Sequence, residues 1–469
     1  MNTTLYMILM TVAAAFCISY GWGMRGSLMG GEKGAMLPGA GVGMLFAAAV
    51  SRLTGSELIL QNWYFFAAAG AMGMSLGGIE PYGDTIGMAT EPNSPHYNRK
   101  IGYLGLCVKG ALWFALCGAY IALAMNAVTG KVYTAADIII LFASAPFVQA
   151  LGCRINRPFK PAENRFPKIY FAYESLEEWG GNVALLLEIC IFAVIRRDAF
   201  TVFESLFGLV FGALGWFVAI WVYDHMANKN KKGKYLFNRV CSKGLGDPWR
   251  TMEFILGAIG GLGLMVGFFC NMNRIRSLTA LLEQNGGVHS FFPNAGTIYT
   301  VLTVLCFAGI LVIYILSEIF DNPYGHVYDL FERPLFNILP MAMLLLGSHT
   351  AAQAMTFFML WYAAVLKCCF SRFKELKHPN VGRGILIAIT AGVILAMVFR
   401  GPFSLRETWF LCGYPYLALE YVHTFSPRRR AMLKKKKAEG AAFSQLFRPS
   451  ESYMVFIITL YHVIGFIIL

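Results

Sequence analysis

Charge is what this chain has least of. Only 14% of its 469 residues are Asp, Glu, Lys or Arg, against about 25% in soluble domains. With 57% hydrophobic and 15% aromatic residues, a chain of this length has too little polar surface to cover a water-soluble body. A bilayer removes that requirement, because lipid solvates apolar side chains directly. Paired cysteines are missing too. None of the 11 cysteines belongs to a C-x-x-C pair, and most lie within or beside apolar runs, so they read as small buried hydrophobes rather than as a disulfide or metal framework. The sequence has no G-x-x-x-x-G-K-[ST] and no H-E-x-x-H, which removes the motif-borne routes to nucleotide and zinc chemistry. Its G-x-G pieces follow no strand pattern, and this excludes a dinucleotide fold. No cofactor or metal is expected. No polar linker is long enough to set off a soluble domain, so residues 1–469 read as a single integral membrane domain.

What the chain does have is length in apolar runs. They fall at 4–24, 34–53, 57–79, 101–128, 136–153, 173–195, 200–226, 252–271, 297–319, 335–349, 350–370, 384–400, 405–425 and 452–469. Each approaches the ~20 residues that a helix needs to cross a bilayer. The expected fold is all-α: a polytopic transmembrane bundle of about 12–14 helices, some broken by Gly or Pro. The first run, MNTTLYMILMTVAAAFCISYG, has no basic n-region and reads as a first spanning helix rather than a cleaved signal.

The net charge of +13 would suggest nucleic acid in a soluble protein. Here the basic residues sit in short loops, which points to a lipid surface and not to nucleic acid. Of the 39 Lys and Arg, 30 fall in odd-numbered loops and 8 in even-numbered ones. By the positive-inside rule this places the N-terminus outside and the basic loops in the cytoplasm, in a bacterial-type plasma membrane. Trp22, Trp63, Trp179, Trp221, Trp249 and Trp409 lie near run ends, where interfacial anchoring is expected. The polybasic loop SPRRRAMLKKKKAEG at 426–440 is expected to touch anionic lipid. Residues 104–122 and 207–221 share a Gly, Ala, Leu and Phe texture and would run in opposite directions, as inverted-repeat transporters require.

Four stretches hold residues with chemistry. Residues 20–43 combine nine glycines and Pro38 with Arg25, Glu32 and Lys33, a pattern for either a discontinuous helix pair lining a polar site or a tight turn with packed glycines. Residues 77–100 carry Glu80, Asp84 and His96, with Pro81 and Gly83 favouring a turn or solvated loop. In 173–195 a helical stripe takes in Glu174, Glu178 and Glu188. Glu188 stands among apolar neighbours, with Lys109 its expected partner. In 246–263, Arg250 and Glu253 lie above Gly257 and Gly261, matching Glu32 above Gly39 and Gly43. Close approach of the two glycine faces would bring these charges together.

The expected function is a secondary transporter of a small polar solute, anionic or polyhydroxyl, driven by protons or sodium. Arg25, Glu32, Lys33, Glu80, Asp84, Arg250 and Glu253 would bind the solute. Glu174, Glu178, Glu188 and Lys109 would couple the ion. The alternative is a membrane-embedded transferase or hydrolase with a cytoplasm-facing active site, with Glu80, Asp84 and His96 as its acid and base. No catalytic residue is assigned.

Overall fold

The computed structural model describes residues 2–28, 31–78, 80–154, 171, 177–230, 232–235, 248–291, 349–367, 379–425 and 451–469, with isolated positions between them. The side chains of 24–33, 367, 379, 416, 419–425, 451–454 and 467–468 are outside this set. All regular structure among the described residues is helical.

The helices are α1 (Thr3–Leu28), α2 (Gly31–Thr54), α3 (Glu57–Gln61), α4 (Trp63–Gly78), α5 (Gly83–Thr90), α6 (Arg99–Ala127), α7 (Ala135–Gly152), α8 (Trp179–Ile195), α9 (Ala199–Ala227), α10 (Pro248–Cys270), α11 (Met272–Gln284), α12 (His349–Trp361), α13 (Pro379–Arg400), α14 (Leu405–Phe425) and α15 (Glu451–Val463). α12 and α15 each end in a π-helical turn. Seven spans, within α1, α2, α6, α7, α9, α10 and α13, are long and apolar enough to cross a membrane. The outward faces fit that setting. Phe147, Leu151, Val398 and Phe399 are each at least 71% exposed, where water would strongly disfavour them and lipid would not.

The helices pack through glycine. A methyl on Gly39 of α2 would lie 2.2 Å from the Gly70 carbonyl of α4, and one on Gly43 would lie 2.0 Å from the Phe66 carbonyl. Gly257 and Gly261 of α10 bear in the same way on Ile18 and Ala14 of α1. The two glycine faces therefore meet α4 and α1 rather than each other, which corrects the expected α2–α10 seam. α6 forms the centre of the bundle, with 21 buried residues. Its Gly110 and Gly212 of α9 each press on the other's carbonyl, while Gly208 faces Phe114. Rising numbers on α6 meet falling numbers on α9, so the two look-alike stretches do run antiparallel.

Local chemistry moves several boundaries. The run 57–79 divides at Asn62, whose amide and backbone N–H both return to the Leu58 carbonyl. The stripe expected over 173–195 breaks, because α8 begins only at Trp179. Glu178 is its N-cap residue, and Glu174 lies outside the described residues. α11 was not expected; it buries Met272, Ile275, Thr279 and Leu282 on one face, an amphipathic spacing. The runs 297–319 and 335–349 fall almost wholly outside the described residues. Trp22 and Trp63 are 0% and 1% exposed, hence core residues and not interfacial anchors. Among the described cysteines none is in a disulfide.

Candidate functional site

Most of the buried charge lies at one end of the bundle, where α1, α4, α7 and α9 finish and α2, α6, α8 and α10 begin. Lys109 lies on the second turn-pair of α6 and is fully buried. Its Nζ pairs with Glu177 Oε1 at 2.8 Å, with both side chains 0% exposed. It also donates to Thr85 Oγ1 at 2.9 Å and to the Pro81 carbonyl. Two hydrogen-bond acceptors and one counter-charge thus meet the ammonium, as burial of a charge requires. Glu177 Oε2 accepts the Phe171 N–H at 2.8 Å. The expected Lys109–Glu188 pair does not form. Glu188 instead accepts a hydrogen bond from Ser144 of α7, on a flank of α8 where Leu187 and Ile191 are exposed.

Glu80 sits beside this pair in the α4–α5 connection, outside the spanning helices, and is 1% exposed. Neither of its carboxyl oxygens has a hydrogen-bond partner among the described residues. The Glu178 backbone N–H lies close enough to act on it electrostatically but outside bonding geometry. Burial pushes the Glu80 carboxyl up to about 8; the Lys109 ammonium opposes that rise, and the Glu177 and Glu178 carboxylates add to it.

A wall of aromatic rings closes the other side. Trp22 stacks on Trp113 at 5.0 Å, and Trp113 meets Trp216 edge-on at 5.8 Å. Tyr82 touches Trp113, Trp216 and Trp249 at 5.9, 5.4 and 5.7 Å. The Tyr82 hydroxyl and the Trp249 N–H both donate to Glu253, which is 2% exposed. Trp113, Trp179 and Trp216 keep buried indole N–H groups without hydrogen-bond partners among the described residues, and so does the Asn182 side-chain oxygen. Buried polar atoms are satisfied as a rule, so open donors and acceptors gathered at one end mark a place where a polar molecule or water is expected.

Of the residues singled out in the sequence, Glu80, Lys109, Glu178, Arg250 and Glu253 therefore come to the same end. Arg250 is 9% exposed. Asp84 is half-buried at the start of α5, and His96 is exposed. Arg25 lies in α1 and Glu32 and Lys33 in α2, with side chains outside the described set. The 426–440 loop also lies almost entirely outside it. No group of three or more His, Cys, Asp or Glu among the described residues is placed to hold a metal.

Sequence reasoning missed Glu177, Thr85, Tyr82 and the indole wall. It also missed Glu204, on α9, which is 0% exposed with no partner for either oxygen among the described residues. A lone carboxyl inside an apolar run was the available signal. No family model, no characterised protein and no solved structure matches this chain.

Proposed function

We propose that this protein is a secondary transporter of a small polar solute, driven by protons. In this reading it is a polytopic bundle of about 12–14 helices in a bacterial-type plasma membrane. Its N-terminus is outside, the charged end is cytoplasmic, and the 426–440 loop lies on anionic lipid. The observation that carries the reading is Glu80: a sealed carboxyl, without a partner among the described residues, beside a sealed ion pair. A group of this kind gains and loses a proton as its surroundings change, which is the behaviour coupling requires. We assign coupling to Glu80 with Lys109 and Glu177, and no longer to Glu188, which stands on an outer flank of α8. The open indole donors and the Asn182 oxygen suit a hydroxylated solute. The antiparallel α6–α9 pair, joined through Gly110 and Gly212, supports a pseudo-symmetric core of the alternating-access type.

One observation favours the enzyme reading: most of the buried charge lies at one end, as a cytoplasm-facing active site requires. The two readings part in reconstituted liposomes with an internal pH dye. Sugars, polyols and organic acids are added in turn. Transport requires that some solute drives proton movement, and that Glu80→Gln abolishes it without loss of folded protein. No proton movement with any solute, together with hydrolysis or group transfer by the detergent-solubilised protein, would replace transport with catalysis.

A further inference from the structure

Glu204 stands apart from the charged end. Gly118, which its side chain touches, lies nine residues beyond Lys109 along α6, roughly 13 Å at 1.5 Å per residue. A methyl on Gly118 would lie 3.0 Å from Glu204 Cγ, and one on Gly267 of α10 would lie 2.6 Å from Glu204 Oε2. Two helices thus present glycine where the carboxyl is lodged, and the slot has no room for a larger residue on either side. Cys117 of α6, Phe207 of α9 and Leu264 of α10 stand beside it. Asp198, at the start of α9, is occupied by Asn126, Tyr133 and Thr201. No described basic group acts on Glu204.

A carboxylate in this fully buried slot has no hydrogen-bond donor and no counter-charge among the described residues. An apolar side chain in the same slot would not carry that cost. We propose that Glu204 is a proton-exchanging site in the membrane interior, built from a carboxyl between the glycines of α6 and α10. Its role as a carrier of the coupling proton rests on the transport reading; its ability to take up and release a proton does not.

Dicyclohexylcarbodiimide tests this directly, because it enters membranes and reacts with protonated carboxyls. The carboxyl proton moves to one carbodiimide nitrogen and the carboxylate oxygen bonds to the central carbon. The acyl group then migrates to the other nitrogen, giving an N-acylurea that retains every atom of the reagent. The purified full chain in liposomes is treated and its peptides are weighed by mass spectrometry. The expected result is one added carbodiimide on Glu204, falling as the reaction pH is raised. Gly267→Ala, which crowds Oε2, should lose most of the label, and Glu204→Gln all of it. An unlabelled Glu204 in the folded parent would overturn the proposal, since a permanently sealed structural carboxyl does not react. Label on Glu80 with none on Glu204 would overturn it too, while leaving the transport reading in place. Label on Glu204 without solute-driven proton movement would uphold the site and remove the transport reading.

Discussion

Removing one partner of the Lys109–Glu177 pair should cost far more than removing both. The ion pair is 2.8 Å long and neither side chain is exposed. Glu177→Gln leaves the Lys109 ammonium buried with only Thr85 Oγ1 and the Pro81 carbonyl to hold it. Lys109→Met leaves the Glu177 carboxylate with the Phe171 N–H and strips Pro81 and Thr85 of a donor. Breaking a buried pair in this way costs about 3–5 kcal/mol, whereas replacing both members with neutral groups is often close to neutral. The double variant Glu177→Gln with Lys109→Met should therefore be more stable than either single variant, and the coupling energy should be several kcal/mol. Equilibrium unfolding in mixed detergent micelles measures all four corners of the cycle. Single losses that simply add, within about 0.5 kcal/mol, would mean the two groups do not interact, and the assignment of the buried site would fail.

Four further outcomes follow from the same geometry. Glu80 has its folded-state carboxyl raised to about 8 from its ordinary value near 4.3. The folded state then binds the extra proton between those values, so its stabilising contribution is complete below the lower one and is lost as pH rises through the upper one. Melting temperatures in detergent should fall from pH 5 to pH 9, and Glu80→Gln should flatten that slope; an unchanged slope refutes the assignment. Gly39→Leu and Gly261→Leu should reduce monodisperse protein severely. Ala should also be damaging, because its methyl meets backbone carbonyls at 2.2 and 2.5 Å; Gly392→Ala, with nothing within 4 Å, should be tolerated. Glu188→Gln should shift stability by no more than about 1 kcal/mol, because the Gln carbonyl can still accept the Ser144 hydrogen bond; a collapse of folding would return Glu188 to the buried site. A cysteine at 432–440 should resist impermeant maleimide in intact cells, and prompt labelling would reverse the proposed orientation.

The apolar runs were legible because their length is set by a physical thickness. Helices α1, α2, α6, α7, α9 and α10 fall within a few residues of runs drawn from composition alone. Shorter features were not legible for equally physical reasons. Asn62 ends α3 by bonding back to Leu58, a local event inside a run that reads as continuous. Pro81 and Gly83 signal a turn, but the turn ends at Tyr82 and Gly83 already opens α5. The partner of Lys109 was misplaced because a pattern within one helix ranks carboxyls by isolation. By that measure Glu188 outranks Glu177, which stands among other acids in ESLEEW. Pairing across 68 residues is decided instead by which end of α8 meets α6, and α8 starts just after Glu177.

The same logic explains why the charged end is buried at all. Glycines on α2, α6, α9 and α10 bring helix backbones into contact, and that proximity excludes the water that would otherwise solvate Lys109, Glu177 and Glu80. Close packing also limits how the bundle can move. At the Gly110–Gly212 seam backbone lies on backbone, flanked by Trp216 and Phe114, which favours movement of α6 and α9 as a pair. Under the transport proposal, a hinge is expected where such glycine contacts are absent. The α4–α5 connection is such a place: Gly83 meets only the distal edge of Trp249, at 4.0 Å, and the connection carries Glu80, Pro81 and Tyr82. A movement there would pull Pro81 from Lys109 and Tyr82 from Glu253 together, exposing Glu80 in the same step. Proton binding at Glu80 and opening of the charged end would in that case be one event, and this is the arrangement that coupling demands.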